Sequence, residues 1–322
     1  MGAEIGIQIA ILSIREQAGN ILIHVFRPNA TPEFEAWLEK IGGVQLSREP
    51  LPDANDWNCK PQALLNLLDR GASEAIWFDS DLMTTGNFLG LWDAADSQTL
   101  VVTQEAKSMA DQGTAVRTEA WGFPVGRRIS FTLNSCFLRV TEEHRNFLNT
   151  WKECLSSPDY TEASKRTVEE RPMHMKGDQD VLNALLGSKQ FAGIPLRVIR
   201  SGEEIIHCGG ALGYSPLERV RTAFRRPYFF HAIAGKPWVL LSPKHFQPGW
   251  FGWYRRLLQE LSPYVLECRR RRTWFPQVPY WLQYQTPLGY LLRLCSFEHY
   301  AWAGFFPAVV AVFLEQARKL KP

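Results

Sequence analysis

Glu74-Ala75-Ile76-Trp77-Phe78-Asp79-Ser80-Asp81-Leu82-Met83 is the stretch on which the reading of this chain turns. Its apolar run is continuous rather than alternating, the pattern of a central strand covered on both faces, and it ends in two carboxylates one residue apart. In open α/β sheets, ligands bind just beyond the carboxyl ends of such strands, which puts Asp79 and Asp81 at the mouth of a site. Two carboxylates so close in a half-buried place repel each other unless a proton, a lysine or arginine, or a divalent cation offsets the charge. Hard oxygen ligands favour Mg²⁺ or Mn²⁺, ions that bridge carboxylates to substrate phosphates. The plainer alternative makes Asp81 the cap of a following helix and Asp79 a solvated loop acid.

The flanks of this stretch have a βαβα rhythm, the signature of an α/β fold with a mostly parallel sheet flanked by helices. Upstream, Ile21 to Phe26 reads as a strand. Thr31 to Gly42 reads as a helix with Thr31 as N-cap, Pro32 at the first position and Gly42 past the end. Val44 to Leu46 and Pro61 to Arg70 give another strand and helix. Downstream come a helix near Phe88 to Ala95, a strand at Thr99 to Thr103, a less legible segment with Ala115 to Trp121, and a strand at Ser130 to Val140. A helix follows from Thr141 to about Leu155. Residues 156 to 176 read as a polar surface loop, long enough for a lid. A short helix from Gly177 through Leu186 and a strand at Leu196 to Ile199 lead to Phe229-Phe230-His231, then Gly235-Lys236-Pro237-Trp238.

With 322 residues, 45% hydrophobic and 21% charged, the chain can bury a full core, and disorder is not expected. A net charge of +3 gives no reason to expect a nucleic-acid partner. Six scattered cysteines without a Cys-x-x-Cys pair suggest neither zinc nor a disulfide framework, and a reducing compartment follows. The N-terminus has no basic segment ahead of its apolar run, which argues against a secretory signal. A cytoplasmic protein, at or near the inner face of a membrane, is expected.

Four pieces now stand in order: Asp79-Ser80-Asp81 after its strand, Asn134-Ser135-Cys136 inside an apolar strand, Gly177-Asp178-Gln179-Asp180, and His231 with Gly235-Lys236-Pro237-Trp238. In this order and spacing the chain resembles the glycogenin-like and bacterial galactosyltransferase-like glycosyltransferases, over residues 20 to 240. The resemblance implies the GT-A fold, a nucleotide-sugar donor, usually UDP-linked, a Mn²⁺ or Mg²⁺ cofactor, and transfer with retention of configuration. It implies that Asp79, Asp81 and His231 are metal ligands, with imidazole tilting the choice toward Mn²⁺. Lys236 and Gly235 match the diphosphate-binding positions, although the family has two residues between its glycine and lysine and here they are adjacent. Asn134 and Ser135 match donor-sugar contacts, and Lys60 resembles a basic residue that reaches the donor. Asp178, Gln179 and Asp180 match the catalytic segment, Gln179 stabilising an oxocarbenium-like state rather than bonding covalently. Against these roles stand plainer ones: Asp178 as a helix N-cap, Asn134 and Ser135 as a bulge or a cross-strand bond, His231 as a hydrogen-bonded structural histidine, Lys60 as a solvated lysine, Gly235 as a turn.

Residues 4 to 18 fit either strand or helix. A parallel crossover of a dozen or more residues would not fit before Ile21, which favours the helix and implies a reading frame truncated ahead of a first strand. The resemblance ends at Trp238, so the expected division is a catalytic domain over 1–240 and a helical extension over 241–322. That extension is rich in aromatic residues and arginine, including Arg269 to Arg272, and Tyr300 to Leu314 carries no formal charge in the pattern of a packed helix or a membrane-surface contact. The acceptor is open: carbohydrate, lipid-linked or protein. Two rival classes exist, a non-catalytic nucleotide-sugar binder and a phosphohydrolase of the haloacid-dehalogenase type with Asp79 as nucleophile. Met83 stands where the latter has threonine or valine.

Overall fold

The structure, a computed structural model, describes residues 2–51, 56–92, 96–106, 113–209, 214–233, 235–245, 248–283 and 285–319. Nine strands lie among them: β1 Ile23–Phe26, β2 Val44–Ser47, β3 Glu74–Phe78, β4 Leu82–Thr84, β5 Leu100–Gln104, β6 Leu133–Thr141, β7 Leu196–Ile199, β8 Ile205–His207 and β9 Phe229–His231. The chain forms two compact units, one comprising Ile21–Asp79 and Leu89–Ile199, the other Met1–Asn20, Ser80–Phe88 and Arg200–Pro322. The α/β class holds, with sheets flanked by helices. Within that class the pairing is evenly mixed, parallel for β1–β2, β5–β7 and β8–β9 and antiparallel for β3–β6, β5–β6 and β4–β9.

In the first unit β1 pairs with β2, and a four-stranded sheet runs β3-β6-β5-β7. All nine residues of β6 are buried, whereas β3 lies at the end of its sheet with mostly half-buried residues. The central strand is therefore β6, not the Glu74 stretch. The apolar run there is continuous because two short strands, β3 and β4, follow each other in sequence and enter different sheets. The core gathers Leu64, Leu68, Val102, Leu138, Phe147, Trp151 and Leu185. Each such side chain contributes about 1.5–3 kcal/mol on burial.

Local signals account for the helices. Thr31 Oγ1 accepts the amide of Phe34 at 3.2 Å, and Pro32 occupies the first turn of the helix Pro32–Ile41. Gly42, at φ 69°, ends it in a conformation that favours glycine. Part of the expected loop at 156–176 is a helix, Pro158–Ser164, capped by Ser157 and fastened by the buried Tyr160, whose hydroxyl donates to Asn58 at 3.0 Å. The helix expected near Phe88 to Ala95 is a single 3₁₀ turn, Leu89–Trp92, and residues 93–95 lie outside the described residues.

In the second unit a three-stranded sheet runs β4-β9-β8. Residues 2–18 form a helix, Gly2–Ala18, that buries Ile9, Ile11 and Ile14. Ser13 Oγ accepts the amide of Thr84 at 3.2 Å. A Cβ on Gly6 would stand 2.5 Å from the Ser80 carbonyl oxygen, so glycine is what lets this helix approach the backbone beside Asp81. The C-terminal segment is helical: Trp250–Glu260, Pro263–Arg270, Pro287–Cys295 and Phe305–Lys319. Among the described residues, no helix is long and apolar enough to cross a membrane.

Candidate functional site

In the first unit the candidate residues converge on a buried lysine. Lys60 opens the helix Lys60–Asp69 and is 5% exposed. Its Nζ stands 3.2 Å from Asp79 Oδ1 and 3.2 Å from Asp178 Oδ2, and it donates to Ser135 Oγ at 2.8 Å. Ser135 Oγ in turn donates to Asp178 Oδ2 at 2.8 Å. Burial works to lower the lysine pKa, but Asp178 and Asp79 overcome it and hold the ammonium well above its usual range. Lys60 is not a solvated surface lysine.

Asp79 extends the β3–β6 ladder, its amide donating to the Cys136 carbonyl at 2.8 Å, and its Oδ1 accepts the Trp77 indole at 2.6 Å. It is not a loose loop acid. Asn134 and Ser135 sit at a bulge, where the partners of β5 jump from Leu138 opposite Val102 to Asn134 opposite Thr103. Bulges re-aim side chains at the edges of sites. Asn134 Nδ2 donates to Glu105 Oε2 at 2.7 Å, and Gln179 Nε2 donates to the same oxygen at 2.9 Å. The helix Asp178–Gly187 begins after Gly177, which is its N-cap; the capping carboxylate is Asp180, accepting the Gly177 amide at 3.1 Å, rather than Asp178. Asp180 also receives Arg117 Nε at 2.7 Å. Burial nonetheless lifts its pKa, outweighing the arginine.

In the second unit the candidates converge on Asp81, 6% exposed. Asp81 is followed by a strand rather than a helix, so it caps nothing. Register pairs Leu82 with His231 across β4–β9. His231 Nε2 lies 3.4 Å from Asp81 Oδ1, and Lys236 Nζ donates to Asp81 Oδ2 and, at 3.2 Å, to the Ala232 carbonyl. Burial pushes the Asp81 carboxyl up, but His231 and Lys236 more than offset it and hold it well below the usual carboxylate range. The Nδ1 atoms of His231 and His207 are 2.9 Å apart. With Nδ1 engaged by His207, the His231 ring turns Nε2 toward Asp81. Gly235 has a packing reason: a Cβ there would fall 2.2 Å from Leu240 Cδ1.

The donor types suit a divalent cation. Asp79 and Asp81 offer carboxylates from either side of Ser80, and His231 offers an oriented imidazole. Sequence reasoning passed over Glu105, Arg117 and His207. His207 repeats a legible pattern, since Ile205-Ile206-His207 matches Phe229-Phe230-His231, two buried apolar residues before a histidine on a neighbouring strand. Glu105 and Arg117 carry no such mark.

No known family model and no curated protein sequence matches this chain. Its fold does match solved structures. The apo structure of the bifunctional glycosyltransferase WbbM superposes with a TM-score of 0.51 at 12% identity, over 74% of this chain and 45% of that one. The chain thus spans less than half the length of that enzyme. The galactosyltransferase LgtC in complex with donor and acceptor sugar analogs gives a TM-score of 0.46 at 15% identity, over 80% of this chain and 92% of its own. GlyE of Streptococcus pneumoniae TIGR4, a glycosyltransferase, gives 0.43 at 15%, over 72% and 53%.

Proposed function

We propose that this chain, which has the GT-A fold of glycosyltransferases, transfers a sugar from a nucleotide-sugar donor, UDP-linked, to an acceptor, with retention of configuration. The observation that carries the reading is the pair of clusters joined by one residue: Lys60, Ser135 and Asp178 gather on Asp79, while His231 and Lys236 gather on Asp81. Asp79, Asp81 and His231 would hold Mn²⁺ or Mg²⁺. When bound, that cation would offset the charge left on the nucleotide phosphates.

The chain's own residues have distinct parts in this reading. Lys236, an ammonium at the start of the helix Pro237–Leu240, offers a point charge to a diphosphate, and Gly235 beside it keeps that turn compact. Lys60 and Ser135 are donor-binding residues in this reading, and Asn134 joins them through the bulge. Gln179, its amide nitrogen held by Glu105, presents a fixed polar group to the reacting carbon. Asp178 binds a donor hydroxyl, and Asp180, committed to Arg117 and the Gly177 amide, positions the segment. The catalytic region is taken as residues 1–240 and the remainder as an extension.

The extension contacts the surface of a membrane in this proposal, on the cytoplasmic side, which suits a lipid-linked acceptor. Phe306, Val310 and Phe313 form an exposed i, i+4, i+7 stripe, and Leu288, Leu291 and Leu294 are exposed on the helix Pro287–Cys295. The arginine run has other work: Arg269 donates to the Glu260 and Leu282 carbonyls, and Arg271 pairs with Glu16 and Glu267. The apolar faces, not that run, support the contact. The test of function is release of UDP from a panel of UDP-sugars with Mn²⁺ present. Turnover abolished in Asp79→Asn and Asp81→Asn supports the reading; nucleotide binding without turnover on any sugar would favour a non-catalytic binder.

A further inference from the structure

A second buried imidazole stands beside the one proposed above to hold a cation. His207 ends β8 and is fully buried, and register sets it opposite His231, also buried, at the end of the parallel strand β9. Neighbouring strands run about 4.8 Å apart, so side chains in register on one face touch. Here the ring centroids are 5.1 Å apart and the ring planes are inclined by 64°, which brings the two Nδ1 atoms to 2.9 Å. The backbone round His231 is pinned on both sides: its carbonyl accepts the Cys208 amide at 2.6 Å, and the Ala232 amide donates to the Asp81 carbonyl at 2.9 Å. That leaves the turn of the imidazole about its own side-chain bonds, and the contact between the Nδ1 atoms fixes it.

Of two ring nitrogens 2.9 Å apart, one must donate and the other accept. If His207 donated, a neutral His231 would carry its proton on Nε2, and an N–H would face Asp81 Oδ1 at 3.4 Å. That arrangement closes Nε2 to a cation. If His231 donates, its Nδ1 keeps a proton whether or not Nε2 has one, and the ring stands the same way in both forms. A bare Nε2 and a carboxylate oxygen 3.4 Å apart are then two acceptors, which a proton or a cation between them makes favourable. Metal-ligating histidines characteristically give their other N–H to a fixed acceptor, and that acceptor sets the ring's orientation. We infer that His207 is a positioning residue of the cation site: its bare Nδ1 accepts the Nδ1–H of His231 and so holds His231 Nε2 toward Asp81. The inference rests on the reading of Asp81 and His231 as cation ligands, and His207 acts through His231 rather than on the cation itself.

The test is Mn²⁺ binding by the full chain with UDP present, followed by the electron paramagnetic resonance signal of free Mn²⁺, in the wild type, His207→Leu, His207→Asn and His231→Ala. Asparagine carries an acceptor oxygen at the δ position, where histidine has Nδ1, and leucine carries none. The expected result is that His207→Leu weakens Mn²⁺ about tenfold or more and that His207→Asn recovers most of the loss, while both unfold cooperatively. A merely structural histidine would not be rescued by the asparagine. Nitrogen-15 NMR of the histidine-labelled wild type reads the proton directly, with the His207 signals identified by their loss in His207→Asn, and it decides the matter even if His207→Leu fails to fold. It should find His207 with a bare Nδ1 and a protonated Nε2. A proton on His207 Nδ1, Mn²⁺ bound by a folded His207→Leu as tightly as by the wild type, or equal impairment of the leucine and asparagine variants overturns the assignment. His231→Ala separates the two claims: loss there with none in His207→Leu removes only the part given to His207, whereas Mn²⁺ binding unchanged in His231→Ala, or absent from the wild type, removes the cation site as well.

Discussion

Replacing Lys60 by methionine removes one ammonium and leaves its surroundings in place, and the structure says what that should cost. Lys60 lies 3.2 Å from the carboxylates of both Asp79 and Asp178 and donates to Ser135. It is 5% exposed, so water cannot readily take over its role. An exposed pair would be worth about 0–1 kcal/mol, whereas breaking a buried one by removing a single partner costs roughly 3–5 kcal/mol. That is a large share of the ~5–15 kcal/mol that holds a typical domain together. The lysine's folded pKa is raised above its unfolded value, so its contribution is complete below about 10.4 and is lost only as pH rises through the folded pKa; a measurement at pH 7 sees all of it. Urea unfolding of Lys60→Met should therefore show a midpoint shift worth roughly 3–5 kcal/mol with little change in slope. The double variant Lys60→Met/Asp178→Asn should regain most of the loss, because it removes one of the carboxylates left facing each other. A single-variant loss below about 1 kcal/mol, or a double variant as unstable as the single, would refute the reasoning.

Other expectations follow from the same physics. Glu260 is fully buried, and desolvation lifts its carboxyl to about 7 in spite of bonds from Thr286. Because the folded state keeps a proton that the unfolded state releases above about 4.5, stability falls as pH rises from there to about 7, by roughly 3 kcal/mol at about 1.4 kcal/mol per pH unit. Glu260→Gln should match the wild type near pH 4.5 and exceed it by a margin that grows to about pH 7 and then levels off in thermal melts; a constant gap across that range would contradict this. Asp81 has the opposite sign: its depressed pKa contributes stability above the ordinary carboxylate range that is lost as pH falls through the folded value, so Asp81→Asn should flatten the acid limb of the stability profile. Phe306→Asp/Phe313→Asp should reduce co-sedimentation with lipid vesicles several-fold without lowering the melting temperature, since both rings are exposed, at 68% and 66%. Unchanged sedimentation would remove the apolar stripe from the membrane contact.

What was legible in the sequence was local. Thr31, Pro32 and Gly42 mark a helix by caps alone, and the structure places that helix between β1 and β2. The acidic pair, the polar break at Asn134 and Ser135, and His231 before Lys236 stand out because each sets polar atoms against apolar strands. What was not legible depends on pairing across distance. The rank of β6 as the buried middle strand, and the split of the Glu74 stretch into β3 and β4, follow from register with strands distant in sequence, which the run of apolar residues cannot specify. Lys60 could be read as a surface residue because nothing nearby in sequence shows the three partners that bury it. Glu105 and Arg117 were missed for the same reason, since their roles exist only once Asn134, Gln179 and Asp180 have been brought to them. The arginine run at 269–272 misled in the other direction: a charge block that reads as a surface feature spends Arg269 and Arg271 on internal carbonyls and carboxylates.

The central claim is that a divalent cation and a nucleotide diphosphate are held together by Asp79, Asp81, His231 and Lys236. Calorimetric titration of the purified chain with UDP, with and without Mn²⁺, tests it most directly, beside Asp79→Asn and His231→Ala variants. The account predicts binding that requires Mn²⁺ and is lost in both variants while their unfolding stays cooperative. Equal UDP binding with and without the metal, retained in both variants, or no binding of UDP by the folded wild type, would contradict it.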